Sequence, residues 1–454
     1  MNPQGERWTT DQVLALAPDE ASRKAGDKLA APGPWSETGA DDGAVWGQCK
    51  GSGKKPYQAV IDIKGPAFKC SCPSRKFPCK HALGLLLLWA GDAGAVAAGE
   101  PPQWAGEWLA GRRERAGRSA RTPSGSGAPS RTPADPEAAR RRAERRMQRI
   151  ASGATELEQR LEDLLHSGLA SADSAGGGSW DETAARMVDA QAPGLASRVR
   201  ELGTVVASGP DWPARLLEEC ALLHLLDQGF LGLDRLPAPL AATVRSRIGL
   251  TTEAAELLTG PNAATVRDRW LVLAQQDSDD GKLTTRRIFL RGERTGRMAL
   301  HLSFGGSPVR PLDLALPPGL ILDADLAYYP GARPLRATLG ERHAPAAPGP
   351  VPPGIGIDAA LAAYGDALRD DPWLDSWPVV LADVTPIPGR DGEGWQLADA
   401  DGESALPLDP RSLGRTGLWQ LAAISGGAPI TVFGECGHRG FLPLTAWDPT
   451  PVSL

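Results

Sequence analysis

A chain of 454 residues is too long for one ordinary domain and points to two to four. Its 53 Gly and 41 Pro predict long connections, and its most apolar run, Leu83 to Ala90, is far shorter than the roughly 18 residues of a membrane span. The net charge of −6 is unevenly spread: residues 1–150 hold 24 Lys+Arg against 16 Asp+Glu, and residues 151–454 hold 25 against 39.

The first residues, MNPQGERW, carry no apolar signal segment, so a cytoplasmic protein with reduced thiols is expected. Thr9 and Gln12 have capping-box spacing before Val13, Leu14 and Leu16, which predicts a helix from about Asp11 to Leu29. "AVWGQC" and "PYQAVIDI" read as strands joined by the Gly-containing hairpin "KGSGKK". The stretch "FKCSCPSRKFPCKHALGLLLLW" follows, with a helix expected from Lys80. Residues 91–134 read as a Pro/Ser/Gly/Arg-rich linker. Asp135-Pro136-Glu137 then starts a helical region over 135–262, with a second capping box at Ser179 and Glu182. From 264 to 454 short apolar segments separated by Gly/Pro turns predict a β-rich region of one or two subdomains. "WQLAAI" is read as one of its strands, and "IDAALAAYGDAL" as an inserted helix. No repeat of fixed period is apparent.

The chemistry concentrates at Cys70-x-Cys72-x6-Cys79-x-His81. Four thiolate and imidazole ligands make a closed tetrahedral zinc site, whereas a catalytic zinc keeps one position open. In extended chain the i, i+2 pair Cys70 and Cys72 shares one side. Pro78 holds Phe77 out of helical conformation, so Cys79 lies just before the helix and His81 in its first turn. Three thiolates and Zn²⁺ sum to −1, favoured by the helix N-terminus and by Lys69, Arg75, Lys76 and Lys80. Leu83, Leu86 and Leu87 are expected to pack on Val60, Ile61, Ile63 and Phe68, with one zinc ion supplying folding free energy that so small a core lacks.

Cys-x-Cys, a gap, then Cys-x-His, after two strands and into a helix, resembles the SWIM zinc finger over roughly residues 44–90. The chain is similar to long bacterial SWIM-containing proteins with a helical middle. The resemblance implies a zinc-stabilised ββα module that binds DNA or protein. It also implies a setting beside MoxR-type AAA ATPases and von Willebrand A-domain proteins.

The basic excess points to nucleic acid or to an acidic protein partner. Lys50 to His81 contains eight basic residues and one acid, Asp62. Lys50, Lys54, Lys55, Lys69, Arg75, Lys76 and Lys80 are the candidate contacts to nucleic-acid phosphates; Trp46 and Tyr57 nearby read first as core residues of the small sheet and second as platforms for stacking on bases. Arg141, Arg145 and Arg149 repeat at helical spacing and suit either a phosphate backbone or a solvated face. Cys49 and the Cys220/His224 pair read as core, Cys436-Gly-His438 as a hairpin turn, and Asp323/Asp325 as an outward strand face. His166 and His343 stand alone, and no Gly-x-Ser-x-Gly elbow occurs.

The sequence thus predicts a multidomain α+β protein. It comprises a zinc-finger domain over 1–90, the linker, the helical middle region and the β-rich C-terminal region. The expected function is non-catalytic: structural zinc binding and docking on DNA. The alternative is a protein–protein interaction adaptor, for instance for an AAA ATPase. No small-molecule substrate is evident.

Overall fold

The structure is a computed structural model. It describes residues 8–454 apart from 15, 18–19, 52–54, 64–66, 75–77, 92–93, 120–135, 170–176, 207, 210, 262, 280–282, 306–313, 390–393 and 410–414.

The N-terminal unit is a four-stranded antiparallel meander, β1 (Trp35–Ala40), β2 (Ala44–Cys49), β3 (Tyr57–Asp62) and β4 (Ala67–Cys70). Before it stand α1 (Thr10–Leu14) and α2 (Glu20–Asp27), two helices in place of the expected single one. The capping box forms: Thr9 N–H donates to Gln12 Oε1 at 2.9 Å, and Gln12 N–H to Thr9 Oγ1 at 3.2 Å. After the sheet comes α3 (Lys80–Gly91), in which every residue from His81 to Trp89 is buried. A β-carbon on its Gly84 would lie 2.6 Å from Leu29 Cβ, so glycine lets α2 and α3 pack closely.

Part of the expected linker is helical. Gln103–Ser119 forms α4, and Ala105 and Leu109, one turn apart, close with Trp46, Val60 and Ala44 over the outer sheet face. Val60 therefore belongs to the α4 side, while Ile61 and Ile63 share the core of α3. The rest of the "RTPSGSGAPSRTPADP" stretch, including the Asp135 cap, lies outside the described residues.

The helical middle consists of α5 (Pro136–Ser167), α6 (Gly177–Asp189), α7 (Pro193–Val205), α8 (Trp212–Leu231) and α9 (Ala238–Ile248), followed by the short α10 (Ala254–Thr259). Ser179 lies inside α6, which starts two residues before that expected cap. The bundle buries Ile150, Leu157, Met187, Leu195, Leu216 and Leu223 at its centre. Arg141, Arg145 and Arg149 are exposed on α5, where Arg141 meets Glu137 at 2.8 Å and Arg149 meets Gln191 at 3.0 Å.

The β-rich region is two barrels of the same pairing order. In the first, β5 (Thr265–Asp279) lies between β6 (Thr284–Gly292) and β8 (Leu320–Tyr328), and β7 (Met298–Gly305) pairs with β6. Strand β9 (Arg336–Arg342) closes the ring, antiparallel to β8 and parallel to β7. The two-residue β10 (Ala347–Pro348) adds to β8. In the second barrel, after α11 (Ile357–Asp370), β11 (Ser376–Ile387) lies between β12 (Gln396–Ala398) and β14 (Ile430–Gly437), and β13 (Ala405–Pro407) pairs with β12. Strand β15 (Gly440–Asp448) is antiparallel to β14 and closes the ring through a parallel bridge, Leu408 to Phe441. "WQLAAI" is not a strand but part of α12 (Arg415–Ser425), which crosses between β13 and β14. A last strand, β16 (Thr450–Ser453), pairs with β15.

These units are welded together. One apolar cluster runs from Val13, Leu16 and the α3 leucines to Trp270, Leu316 and Leu320 of the first barrel. Gln12 Nε2 donates to Gly319 O at 3.4 Å. The outer faces of the barrels meet through Leu271, Leu273 and Phe289 against Val380, Phe433 and Trp447, with Arg287 to Glu435 at 2.8 Å. The bundle joins the second barrel through Arg247, which donates to Asp371 at 3.0 and 2.6 Å, and through Trp373 Nε1 to Leu222 O at 2.8 Å. Among the described residues no helix is long and apolar enough to cross a membrane.

One buried charge lies inside the bundle. Asp227 is fully buried, and its oxygens meet no hydrogen-bond donor among the described residues. Burial pushes its carboxyl up to about 9, helped by the negative charge of Glu158. The folded carboxyl keeps its proton from the ordinary carboxylate range up to about 9, and the unfolded one does not. Folding stability therefore falls as pH rises through that window. Asp227→Asn is expected to raise the thermal midpoint more at pH 8.5 than at pH 5. An equal gain at both values would show that Asp227 is not held neutral.

Candidate metal centre

The site is assembled by β4, the turn after it and the start of α3. Cys70 ends β4, and its residue pairs with Ala59 of β3. The turn is tied back to β3 twice: Ser71 N–H donates to Gln58 O at 3.0 Å, and Gln58 N–H to Ser71 Oγ at 2.9 Å. This fixes Cys72 beside Cys70. At the other side, the Cys79 carbonyl accepts the Leu83 N–H at 3.0 Å, so Cys79 stands at the helix cap. His81 then falls in the first turn.

Cys70, Cys72, Cys79 and His81 bring one ligand atom each to within 4.8 Å of all the others. Cys70 Sγ and His81 Nδ1 are 3.8 Å apart, close to the edge of about 3.6 Å set by zinc–sulfur and zinc–nitrogen bonds in a tetrahedron. Cys79 and His81 are buried, and Cys70 and Cys72 half-buried. Backbone N–H groups of Cys72, Ser74 and Ala82 bond to the sulfurs of Cys70, Cys72 and Cys79. Such bonds steady thiolates without a countercharge in the site. The Cys70 thiol bonds to Cys79 and holds it down to about 4, with burial opposing. The same bond pushes Cys70 up, and burial adds to it; Cys72 is raised chiefly by burial. Zinc would displace the protons on Cys70 and Cys72, so its affinity falls as pH falls. The donor set, spacing and closure fit one structural zinc ion.

The other thiols are not among the converging ligands, although Cys49 is near enough to feel the charges of Cys72 and Cys79. Cys49, Cys220 and Cys436 are buried, and burial raises all three. His224 is not a core residue: its side chain is exposed, and Nδ1 lies 2.6 Å from Glu158 Oε2. His438 lies at the expected turn between β14 and β15. Neither Asp325 nor His343 is isolated; with Glu341 they form a second convergence of ligand atoms, discussed below. Glu341 lay outside every sequence motif, because pairing of β8 with β9 is what brings the three together.

Of the candidate phosphate contacts, Lys50, Lys55, Lys69 and Lys80 are exposed. Lys54, Arg75 and Lys76 lie outside the described residues. Lys50 and Lys80 line a groove between α2 and the cysteine turn, with Tyr57, Ser74 and His81. Tyr57 packs on the His81 ring at 4.9 Å. Trp46 is not available to stack on bases, since it is buried under α4.

The match to known families agrees with this geometry. The SWIM zinc finger family matches residues 69–90, and the SWIM-associated four-helix bundle domain matches residues 145–248. No curated protein and no solved structure matches the chain. Residues 69–90 are thus a SWIM zinc finger carrying the Cys70/Cys72/Cys79/His81 cluster, and the bundle is its associated domain.

Cys72→Ala or His81→Ala is expected to abolish stoichiometric zinc, measured by elemental analysis, and to lower the thermal transition. Cys220→Ala should keep its zinc. Full metal in either ligand variant would overturn the assignment.

Proposed function

We propose that this is a non-catalytic zinc protein that docks on nucleic acid, with DNA as the leading ligand, through the basic face its finger organises. One observation carries the reading. Lys50, Lys55, Lys69 and Lys80 are exposed around the cysteine turn, while Asp62, the one acid between 50 and 81, is held by Arg112 at 3.2 Å. The cationic side chains can each displace a condensed counterion from a phosphate. Zinc acts at a distance from that contact: it fixes the turn and the start of α3, and so the relative placing of Lys69 and Lys80.

The rival is an interaction adaptor, for instance for an AAA ATPase of the MoxR type or a von Willebrand A-domain partner. It is supported by the way the finger is built into the body. One sheet face lies under α4, and α3 is buried from His81 to Trp89. The groove beside α2, lined by Lys50, Tyr57, Ser74 and Lys80, is of a size to suit a peptide as well.

The full zinc-loaded chain is the right material for a test, because the core of the finger continues into the first barrel. Binding to short duplex DNA is expected to weaken with salt, the four exposed lysines contributing about −3.6 to the logarithmic slope. Lys50→Glu with Lys80→Glu should flatten that slope by about 1.8. Absence of binding at low salt would sink the nucleic-acid reading and favour the adaptor. Binding that the double variant leaves unchanged would move the contact away from the finger.

A further inference from the structure

A second convergence of ligands lies on the first barrel, where β8 pairs with β9. Asp325, Glu341 and His343 each place a donor atom within 4.8 Å of the other two. His343 Nε2 is 3.1 Å from Asp325 Oδ2. The His343 N–H donates to Asp323 O at 2.8 Å, which keeps the chain beyond β9 alongside β8.

The strand register explains why these side chains meet. Ala324 pairs with Arg342, but Leu326 pairs with Leu339. One residue, Asp325, thus faces two, Gly340 and Glu341, across a bulge in β9. A β-carbon on Gly340 would lie 3.1 Å from Asp325 O and 3.4 Å from Asp325 Cβ, so glycine permits the close approach. The result sets two carboxylates directly across a strand pair, an arrangement that costs free energy. A third, Asp323, is engaged by Arg267 at 3.2 and 3.3 Å. Arg267 also feels the charges of Asp325 and Glu341, but its guanidinium bonds go to Asp323.

We propose that Asp325, Glu341 and His343 form a second metal site, for a divalent cation of the Mn²⁺ type. Two carboxylates and one neutral imidazole balance a charge of +2. Carboxylate oxygen and water suit Mn²⁺, and imidazole adds a nitrogen; no thiolate is present to select the zinc of the finger. The Asp325 and His343 side chains are about one-fifth exposed, which leaves a side open for waters to complete the shell. The cation turns the opposed carboxylates from a repulsive pair into a chelate. The site is independent of the nucleic-acid reading.

The test titrates the zinc-loaded full chain with Mn²⁺ and counts free ion by electron paramagnetic resonance. One saturable Mn²⁺ per chain is expected, with zinc content unchanged, since Mn²⁺ is the weakest competitor for the thiolates. Asp325→Asn and His343→Gln should each weaken Mn²⁺ binding at least about tenfold. Mn²⁺ should raise the thermal midpoint of the unsubstituted chain and not of the variants, whose own unfolding transitions report whether they fold. No saturable site in the unsubstituted chain, or a folded variant that binds Mn²⁺ as tightly, would overturn the proposal.

Discussion

The pinning of α3 at its N-terminus is the constraint on which the rest of the N-terminal unit depends. From His81 to Trp89 the helix has no solvent face. A helix of this kind has no amphipathic pattern to orient it, so apolar burial alone leaves its rotation and register undetermined. The cysteine cluster supplies what burial lacks. Cys79 and His81 on the helix start are held against Cys70 and Cys72 on the sheet end. That cross-link fixes which leucines meet the sheet and which meet α1 and α2. Leu83 and Leu86 then carry the core onward to Trp270 and Leu320 of the first barrel. Metal binding and the docking of the finger on the body are therefore coupled through one helix.

The same coupling explains how the finger can be both structural and exposed. Its apolar surfaces are turned inward, against α4 on one side and against α3 and the barrel on the other. Among the described residues, Lys69 and Lys80, which flank the ligand-holding turn, and Lys50 and Lys55 nearby stay exposed. The positive residues serve two ends there. They lower the cost of a site whose three thiolates exceed the charge of zinc. They also leave a cationic surface once the zinc is in place.

How legible each part was follows from how local it is. The zinc ligands fall within twelve residues, and chain stiffness around Pro78 does much to converge them, so spacing alone reads the site. The Thr9–Gln12 box is as local, and it forms. The helix expected after it is divided into α1, which ends at Leu14, and α2, which starts at Glu20, where the periodic pattern suggests continuity. In α4 the pairs Trp104/Trp108 and Ala105/Leu109 carry helical spacing, but the Gly, Arg and Pro around them hide it. The run "WQLAAI" is short, apolar and bounded by Gly turns, which reads as a strand; in α12 it is helical instead, burying Leu421 while Trp419 stays exposed. The barrel closures were beyond reach. They depend on Leu300 meeting Arg336 in parallel and on Leu408 meeting Phe441, contacts that no local pattern encodes. His343 with Asp325 and Glu341 is a product of the same nonlocal pairing.

Two small barrels invite a functional analogy, since five-stranded Greek-key barrels often bind oligonucleotides or oligosaccharides on an open sheet face. Here the surfaces argue otherwise. The outward side of β6 and β7 in the first barrel is filled by the second, through Phe289 on Phe433 and Arg287 on Glu435. In the second barrel, β12 and β13 offer Gln396, Ala405 and Pro407 outward, beside Asp399, Asp401 and Glu403, a neutral-to-acidic strip that repels phosphate. Fold does not carry function across by itself. The barrels act as the rigid body that buries α3 and joins finger to bundle. Among the described residues outside the finger, α5 carries the main run of arginines, and several of those are tied to neighbouring side chains. The proposed nucleic-acid contact is therefore assigned to the exposed lysines around the cysteine cluster, Lys50, Lys55, Lys69 and Lys80.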